Sequence, residues 1–447
     1  MLSASSNTLT KFNEFKHCFK DLFFLSLPIL IGELGHTLIG ATDVMVVAKY
    51  NIHSLAAVSI ANSLLFTIFI LGLGIIDAIP IVLSKYRGEK KRVKHHFFGS
   101  IVFSLLVAIV FALLCYSTVF FVGKMGFEEA LIPYIKQYIT IVSFSMLGLF
   151  IYQGIKSFLL TYEIVNFPNL ILLGSVVVNL ILDLMFVLGI GPFPAMGVKG
   201  AAIATLCVRT LMAVVIFAYA FKFINFKSPI DFSFLKRVIQ VGIPIGAALM
   251  VEFLAFNIIT VLVGRESGLL AATHNILITI SSATFMVPLS VAIALSVKVA
   301  YFFGAKKLKE LTQYISTALL FGVGFMILVS LLLILFPNQI IGVFSTNAEV
   351  LAISIPVVLV VSAYQVFDGV QVIMGGVLKG FQMTKTVSTT VLLCYWALGM
   401  PVAFVLVGKY SMSLKGYWIA LAVSLFAMSI FMSIFSVIKY KKFKATL

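Results

Sequence analysis

The chain has 447 residues, of which 61% are hydrophobic and only 11% charged, with 32 Lys and Arg against 16 Asp and Glu for a net charge of +16. Its mean hydropathy is +1.14, and apolar runs of about 20 residues recur along it, which reads as an all-α polytopic membrane protein and excludes a soluble enzyme. A basic excess of this size would suggest nucleic acid in a soluble domain. Here the basic residues fall almost entirely between or beyond the apolar runs, where positive charge orients helices, so nucleic-acid binding is excluded too.

From the N-terminus, Lys11, Lys16 and Lys20 sit among polar residues, and the apolar run that follows is too long for a cleaved signal and lacks a small-residue cleavage site. It reads as a retained helix. Charge clusters and Gly/Pro breaks then divide the chain into 12 predicted spans, starting near Phe23, Leu55, Phe97, Tyr138, Asn169, Gly197, Ile239, Leu270, Ile315, Val350, Ser388 and Gly416. This gives an N-terminal tail (1–21), an N-terminal lobe of six spans (22–224), a hydrophilic linker (225–237), a C-terminal lobe of six spans (238–440) and a short tail (441–447). The two tails and the even-numbered loops hold 24 of the 32 Lys and Arg, the odd-numbered loops hold 7, and Arg209 remains within the sixth span. Both termini are therefore expected on the cytoplasmic side of the membrane. The richest segment, Lys85 to His96, reads as a positive-inside loop near anionic headgroups. Cys115, Cys207 and Cys394 fall within apolar runs and Cys18 in the basic tail, so no disulfide framework or thiolate metal site is expected.

The two halves repeat. Phe69 to Gly88 lies on Phe285 to Gly304 at an offset of 216 residues, followed in each case by a basic loop. The same offset matches Ser26-Leu-Pro28-Ile29 with Gly242-Ile-Pro244-Ile245, and Met196 to Gly200 with Met412 to Gly416. Six spans per half is an even number, so the copies share one orientation and are related by a pseudo-two-fold axis along the membrane normal, with a cleft between them as the expected pathway.

Four acids, Asp43, Asp183, Glu252 and Asp368, lie inside predicted spans. Each costs about 2.5 to 3.5 kcal/mol at a helix centre and so demands a function. Asn179 and Asp183 are i, i+4 and project from one helix face. Tyr364 and Asp368 are likewise i, i+4, with Gln371 three further, which places a hydroxyl, a carboxylate and an amide on one stripe. Such oxygens suit a hard cation such as Na+, and Glu252 can complete the shell. For Asn179, Tyr364 and Gln371, interhelical hydrogen bonding remains an equal alternative. Glu33 and His36 are i, i+3, with Asp43 seven beyond His36 on roughly the same face, but no second Glu-x-x-His supports a di-iron centre. His36 falls opposite Glu252 at the 216-residue offset, as a titrating or a packing residue. Asp77 reads as a solvated or lysine-paired residue. His274 either lines the cleft or bonds a neighbouring helix, and Phe and Met in the cleft would suit flat, lipophilic cations.

Taken together, Leu27-Pro28 with Gly40-Ala-Thr-Asp43-Val-Met45, Leu55-Ala-Ala-Val58, Asn179-Leu-Ile-Leu-Asp183-Leu-Met-Phe186, Gly197 to Thr205, Pro244 with Glu252, and Tyr364 to Gln371 followed by Leu378-Lys-Gly380 resemble one family. It is that of the multidrug and toxic compound extrusion (MATE) transporters, within it the bacterial norfloxacin-efflux type. The resemblance implies a cation-coupled antiporter that exports small organic cations by alternating access, with no cofactor beyond a coupling ion, H+ or Na+; a monomer in the lipid bilayer is expected. A proton or substrate site at Asp43, Asn179 and Asp183, and a cation-coupling site at Glu252, Tyr364 and Asp368 with Na+ at Glu252 and Asp368, are expected from the residues, while members of the family differ in which lobe holds the drug and which the coupling ion. Glu33, His36, Gln371 and His274 are auxiliary candidates. The chain departs from the pattern at Ser84 to Lys90, where the family shows a Gln and a Gly-x-Gly turn, and at Asp183, where many norfloxacin-efflux members carry Asn. An Asp-rich N-terminal lobe resembles the DNA-damage-inducible branch instead. Two rivals fit the sequence less well: a flippase of large anionic lipids calls for several cavity Arg or Lys, whereas only Arg209 clearly lies within a span, and an intramembrane enzyme calls for motifs that do not occur.

Overall fold

The computed structural model describes residues 2–223 and 229–447, with side chains from residue 13 onward. Among these residues every regular element is helical, and 12 helical stretches are long and apolar enough to cross a membrane. Large apolar side chains such as Leu113, Leu320 and Phe404 are exposed along them, a surface that suits hydrocarbon.

The elements in order are α1 (Leu2–Tyr50), α2 (Ile52–Ile76), α3 (Ala78–Gly88), α4 (His96–Ser117), α5 (Ile132–Leu160), α6 (Asn166–Phe186) and α7 (Val198–Ala220). After these come α8 (Phe232–Glu266), α9 (Gly268–Gly304), α10 (Leu308–Leu335), α11 (Pro337–Gly342), α12 (Ala348–Gly380), α13 (Thr384–Leu392), a π-helical turn (Leu393–Gly399), α14 (Met400–Gly408) and α15 (Ser413–Lys444). The helices extend beyond the predicted apolar cores: the expected tail 1–21 is largely the start of α1, and Lys236 and Arg237 of the expected linker lie in α8. Residues 225–228 of that linker fall outside the described residues. Asp231 caps α8, accepting from the N–H and hydroxyl of Ser233 and the N–H of Phe234. The Ser233 hydroxyl leads the groups that hold its carboxyl below the usual range.

The 216-residue repeat is visible in backbone detail. Asn51 (φ −164°) and Ser267 (φ −165°) stand 216 apart, and each caps a helix by accepting from a backbone N–H within three residues. Lys90 (φ 59°) and Lys306 (φ 57°) share a left-handed φ after α3 and α9, and Gly197 (φ 54°), just before α7, and Ser413 (φ 44°), the first residue of α15, share a positive φ. The copies differ at Asp77. There Pro80 has no N–H for the Ile76 carbonyl, and the helix breaks into α2 and α3, whereas α9 runs through. Asp77 accepts from Gln153 Nε2 at 3.1 Å.

The chain forms two compact units, Ile31–Met250 and Met1–Leu30 with Val251–Leu447. The division falls inside α1 and α8, shortly after their internal prolines Pro28 and Pro244, not at the hydrophilic linker. Residues 22–30 therefore belong with the C-terminal repeat, and 238–250 with the N-terminal one. The cause is packing of the leading half-helices. In the Ile31–Met250 unit, Gly74, Gly242 and Gly246 bring the backbones of α2 and α8 together; a Cβ on Gly242 would lie 2.6 Å from the Ile75 carbonyl oxygen. In the other unit, the start of α1 is held by Asp21, which pairs with Lys298 Nζ at 2.6 Å and accepts from Tyr314 Oη at 2.5 Å. Lys298 and Lys156, assigned to loops from sequence, are buried within α9 and α5.

Candidate functional site: two acid clusters

The first cluster lies in the Ile31–Met250 unit, where α6 buries a single stripe: Pro168, Asn169, Leu172, Ser175, Asn179 and Asp183. Spacings of three and four residues keep these on one face. That face meets α1 at glycines, with Gly32 against Asn169 and Gly35 against Leu172. Close approach there carries the next turns into register, and Asp43 meets Asn179.

Asn179 Nδ2 donates to Asp43 Oδ1 at 2.5 Å and to Asp183 Oδ2 at 2.7 Å, with Thr42 Oγ1 at 3.3 Å. One amide thus bridges two buried carboxylates. Thr205 Oγ1 of α7 lies 3.2 Å from Asp43 Oδ2 and 3.0 Å from the Ala201 carbonyl oxygen, so its one hydrogen is shared between them. The second oxygen of Asp183 and the Asn179 carbonyl oxygen are buried without a hydrogen-bond partner. Two full negative charges around one amide would be costly unless a proton or a cation joins them. Tyr138 lies beside this cluster and donates to Asn62 Oδ1 at 3.0 Å. Arg209 donates to Ser145 Oγ at 2.8 Å, and its charge reaches Asp43.

Replacing Thr205 with valine keeps the shape but removes a donor to Asp43. Thermal unfolding of the purified protein in detergent is expected to show a loss of about 1 to 2 kcal/mol, with Thr205→Ser close to wild type. An unchanged midpoint in Thr205→Val would contradict the bond's contribution.

The second cluster lies in the other unit. Asp368 and Gln371 of α12 are buried, and Gln371 Nε2 donates to Asp368 Oδ1 at 3.2 Å. Glu252 of α8 is half-buried and accepts from Tyr395 Oη at 3.1 Å. The charge of Glu252 reaches Asp368, and both act on the buried Tyr364 hydroxyl. Tyr364 packs edge-on against Trp418, with ring centroids 5.3 Å apart. The carboxylates, amide and hydroxyls make an oxygen-rich set of the kind that holds a hard monovalent cation.

The auxiliary candidates separate. Gln371 joins the second cluster. Glu33 does not join the first: its Oε1 lies 3.9 Å from Lys156 Nζ. His36 is partly exposed, between the charges of Lys156 and Arg209 rather than bonded to Asp43. His274 is fully buried away from both acids of its unit; its Nε2 lies 3.2 Å from Thr260 Oγ1, and its ring meets Trp418 at 5.8 Å. Because the Thr260 hydroxyl already donates to the Phe256 carbonyl, the imidazole donates to Thr260 through Nε2–H. Sequence reasoning missed Thr205 as a donor to Asp43, and missed Tyr395 altogether. The one signal for Tyr395 is that it stands 216 residues beyond Asn179, so each repeat offers a hydrogen-bond donor to the acid of its leading helix.

The family model MatE matches residues 28–185 and 244–405. Over 93% of both chains, the sequence is 28% identical to the probable multidrug resistance protein NorM of Mannheimia succiniciproducens. It is 29% identical to that of Mesorhizobium japonicum over 89% of each chain. Among solved structures, the Vibrio cholerae MATE transporter VcmN in the bent form superposes with a TM-score of 0.86 at 18% identity, covering 97% of this chain and 99% of that one. A MOP superfamily transporter from Pyrococcus furiosus gives 0.87 at 18% identity, covering 96% and 97%.

Proposed function

Because the chain belongs to the MatE family of transporters, we propose that it is a multidrug efflux antiporter that exports lipophilic organic cations in exchange for H+ or Na+. As a multi-pass transporter of this family it is not an enzyme. The observation that carries the proposal is the pair of acid clusters, one in each unit, built from non-equivalent residues of a repeated scaffold.

Asp43, Asn179 and Asp183 form the proton or substrate site, and Glu252, Tyr364 and Asp368 the cation-coupling site. A proton, a metal cation and a cationic drug each need the same carboxylate oxygens, so occupancy is exclusive at a given site. Inward movement of the coupling cation drives outward release of the drug by alternating access. The asymmetry of Lys and Arg along the sequence supports cytoplasmic termini and, given bacterial relatives, an inner-membrane location. Efflux of fluorescent organic cations from proteoliposomes, driven separately by a pH gradient and a Na+ gradient, tests the proposal. Efflux under at least one gradient is expected; no response to either across several cations would overturn it.

A further inference from the structure

The seven-residue π-helical turn Leu393–Gly399 has no counterpart in α6, which is α-helical throughout. Its origin lies in Pro401, which has no N–H to give the Ala397 carbonyl and whose ring would press on that carbonyl in an α-helix. Widening the turn relieves the clash, and the Met400 N–H reaches back five residues to the Tyr395 carbonyl. Gly399 lets the widened turn lie against α15, where any side chain would meet the Ser424 hydroxyl. Turns of this kind are rare and concentrate at functional sites.

The turn aims two neighbouring side chains at two neighbouring residues of α8. Tyr395 Oη donates to Glu252 Oε1 at 3.1 Å, and Trp396 Nε1 donates to the Val251 carbonyl at 3.2 Å. Successive side chains of a regular α-helix diverge by about 100°; the wider turn reduces that divergence and lets both reach the same partner helix. The Tyr395 ring is only 2% exposed and is held edge-on by Phe256 at 5.9 Å, so its hydroxyl stays beside Glu252.

We propose that Tyr395 is a positioning residue of the second cluster, which holds the Glu252 carboxylate and offers a further oxygen to Na+ there. This rests on Glu252 and Asp368 being the cation-coupling site. A phenol offers one hydrogen and oxygen lone pairs. Toward the bare carboxylate it donates. With Na+ bound at Glu252, the O–H bond can turn aside and the phenol oxygen can join the hard ligand set. The wide turn keeps the hydroxyl at that position.

The test is Y395F in proteoliposomes loaded with a fluorescent lipophilic cation, with efflux driven by Na+ and, separately, by a pH gradient, alongside E252Q. Y395F is expected to raise the half-saturating Na+ concentration about tenfold, with a smaller effect on pH-driven efflux. P401A, which restores the missing N–H and lets the turn revert to α-helix, is expected to give the same shift in Na+ half-saturation with the tyrosine still present. Equal losses in both arms for Y395F, an unchanged Na+ half-saturation in both variants, or a wild type indifferent to Na+ would overturn the inference. If E252Q leaves Na+-driven efflux intact, the cation-site reading itself fails; if E252Q abolishes it while Y395F changes nothing, only the role of Tyr395 fails.

Discussion

Replacing Asp368 with asparagine is expected to raise the Na+ half-saturation of efflux about 100-fold, with little loss of folded protein. Asn is close to Asp in volume and still accepts from Gln371 Nε2, which lies 3.2 Å from Asp368 Oδ1, so packing is kept. What is lost is the charge. The site draws its oxygens from few side chains, and removing one of two carboxylates weakens the hold on a monovalent cation by about 3 kcal/mol, about two decades in affinity. Transport in proteoliposomes over a range of Na+ concentrations checks it. An unchanged half-saturation would remove Asp368 from the site.

The second large effect concerns the scaffold. Gly246→Leu is expected to destabilise the Ile31–Met250 unit by more than about 4 kcal/mol, enough to remove most folded protein from the membrane. A Cβ at Gly246 would run into the Leu71 carbonyl oxygen, and Gly74 faces Gly246 with no room between backbones. Because the obstacle on each side is main chain, no rotamer change relieves it, and α8 must leave α2. Size-exclusion recovery after detergent extraction measures the loss. Gly264→Ala, where a Cβ meets nothing within 4 Å, is the control expected to behave as wild type. Normal recovery of Gly246→Leu would refute the close packing.

Much of the fold was legible because membrane spans advertise themselves through length and apolarity, and because duplication leaves a constant offset. Asn51 and Ser267, Lys90 and Lys306, and Gly197 and Ser413 all obey that offset in φ as well as in position. The exchange of leading half-helices was not legible. A repeat shows which helices correspond but not against which neighbours each end packs, and the glycines that settle it, Gly74, Gly242 and Gly246, resemble ordinary span glycines in sequence. The same limit placed Lys156 and Lys298 in loops, since sequence does not show that each is buried beside an acid, Glu33 and Asp21.

In the first cluster, the i, i+4 pair Asn179 and Asp183 brought two of the residues onto one face, and Asp43 stood out as a lone acid in an apolar run. The amide bridge joining all three required knowing that Gly32 and Gly35 set the register of α1 on α6. In the second, Tyr364, Asp368 and Gln371 announced a polar stripe. Tyr395 did not, because it sits with Cys394 and Trp396 in a run that reads as packing, and because a π turn shifts its direction in a way that helical periodicity does not capture.

On the proposed reading, two chemically different acid sites occupy one repeated scaffold, and the Glu252 and Asp368 site takes the metal cation. Binding of radiolabelled Na+ to the purified protein in detergent tests it most directly, comparing wild type, Asp43→Asn and Asp368→Asn. Na+ binding is predicted to survive in Asp43→Asn and to be lost in Asp368→Asn. Equal loss in both variants, or undiminished binding in Asp368→Asn, would contradict it.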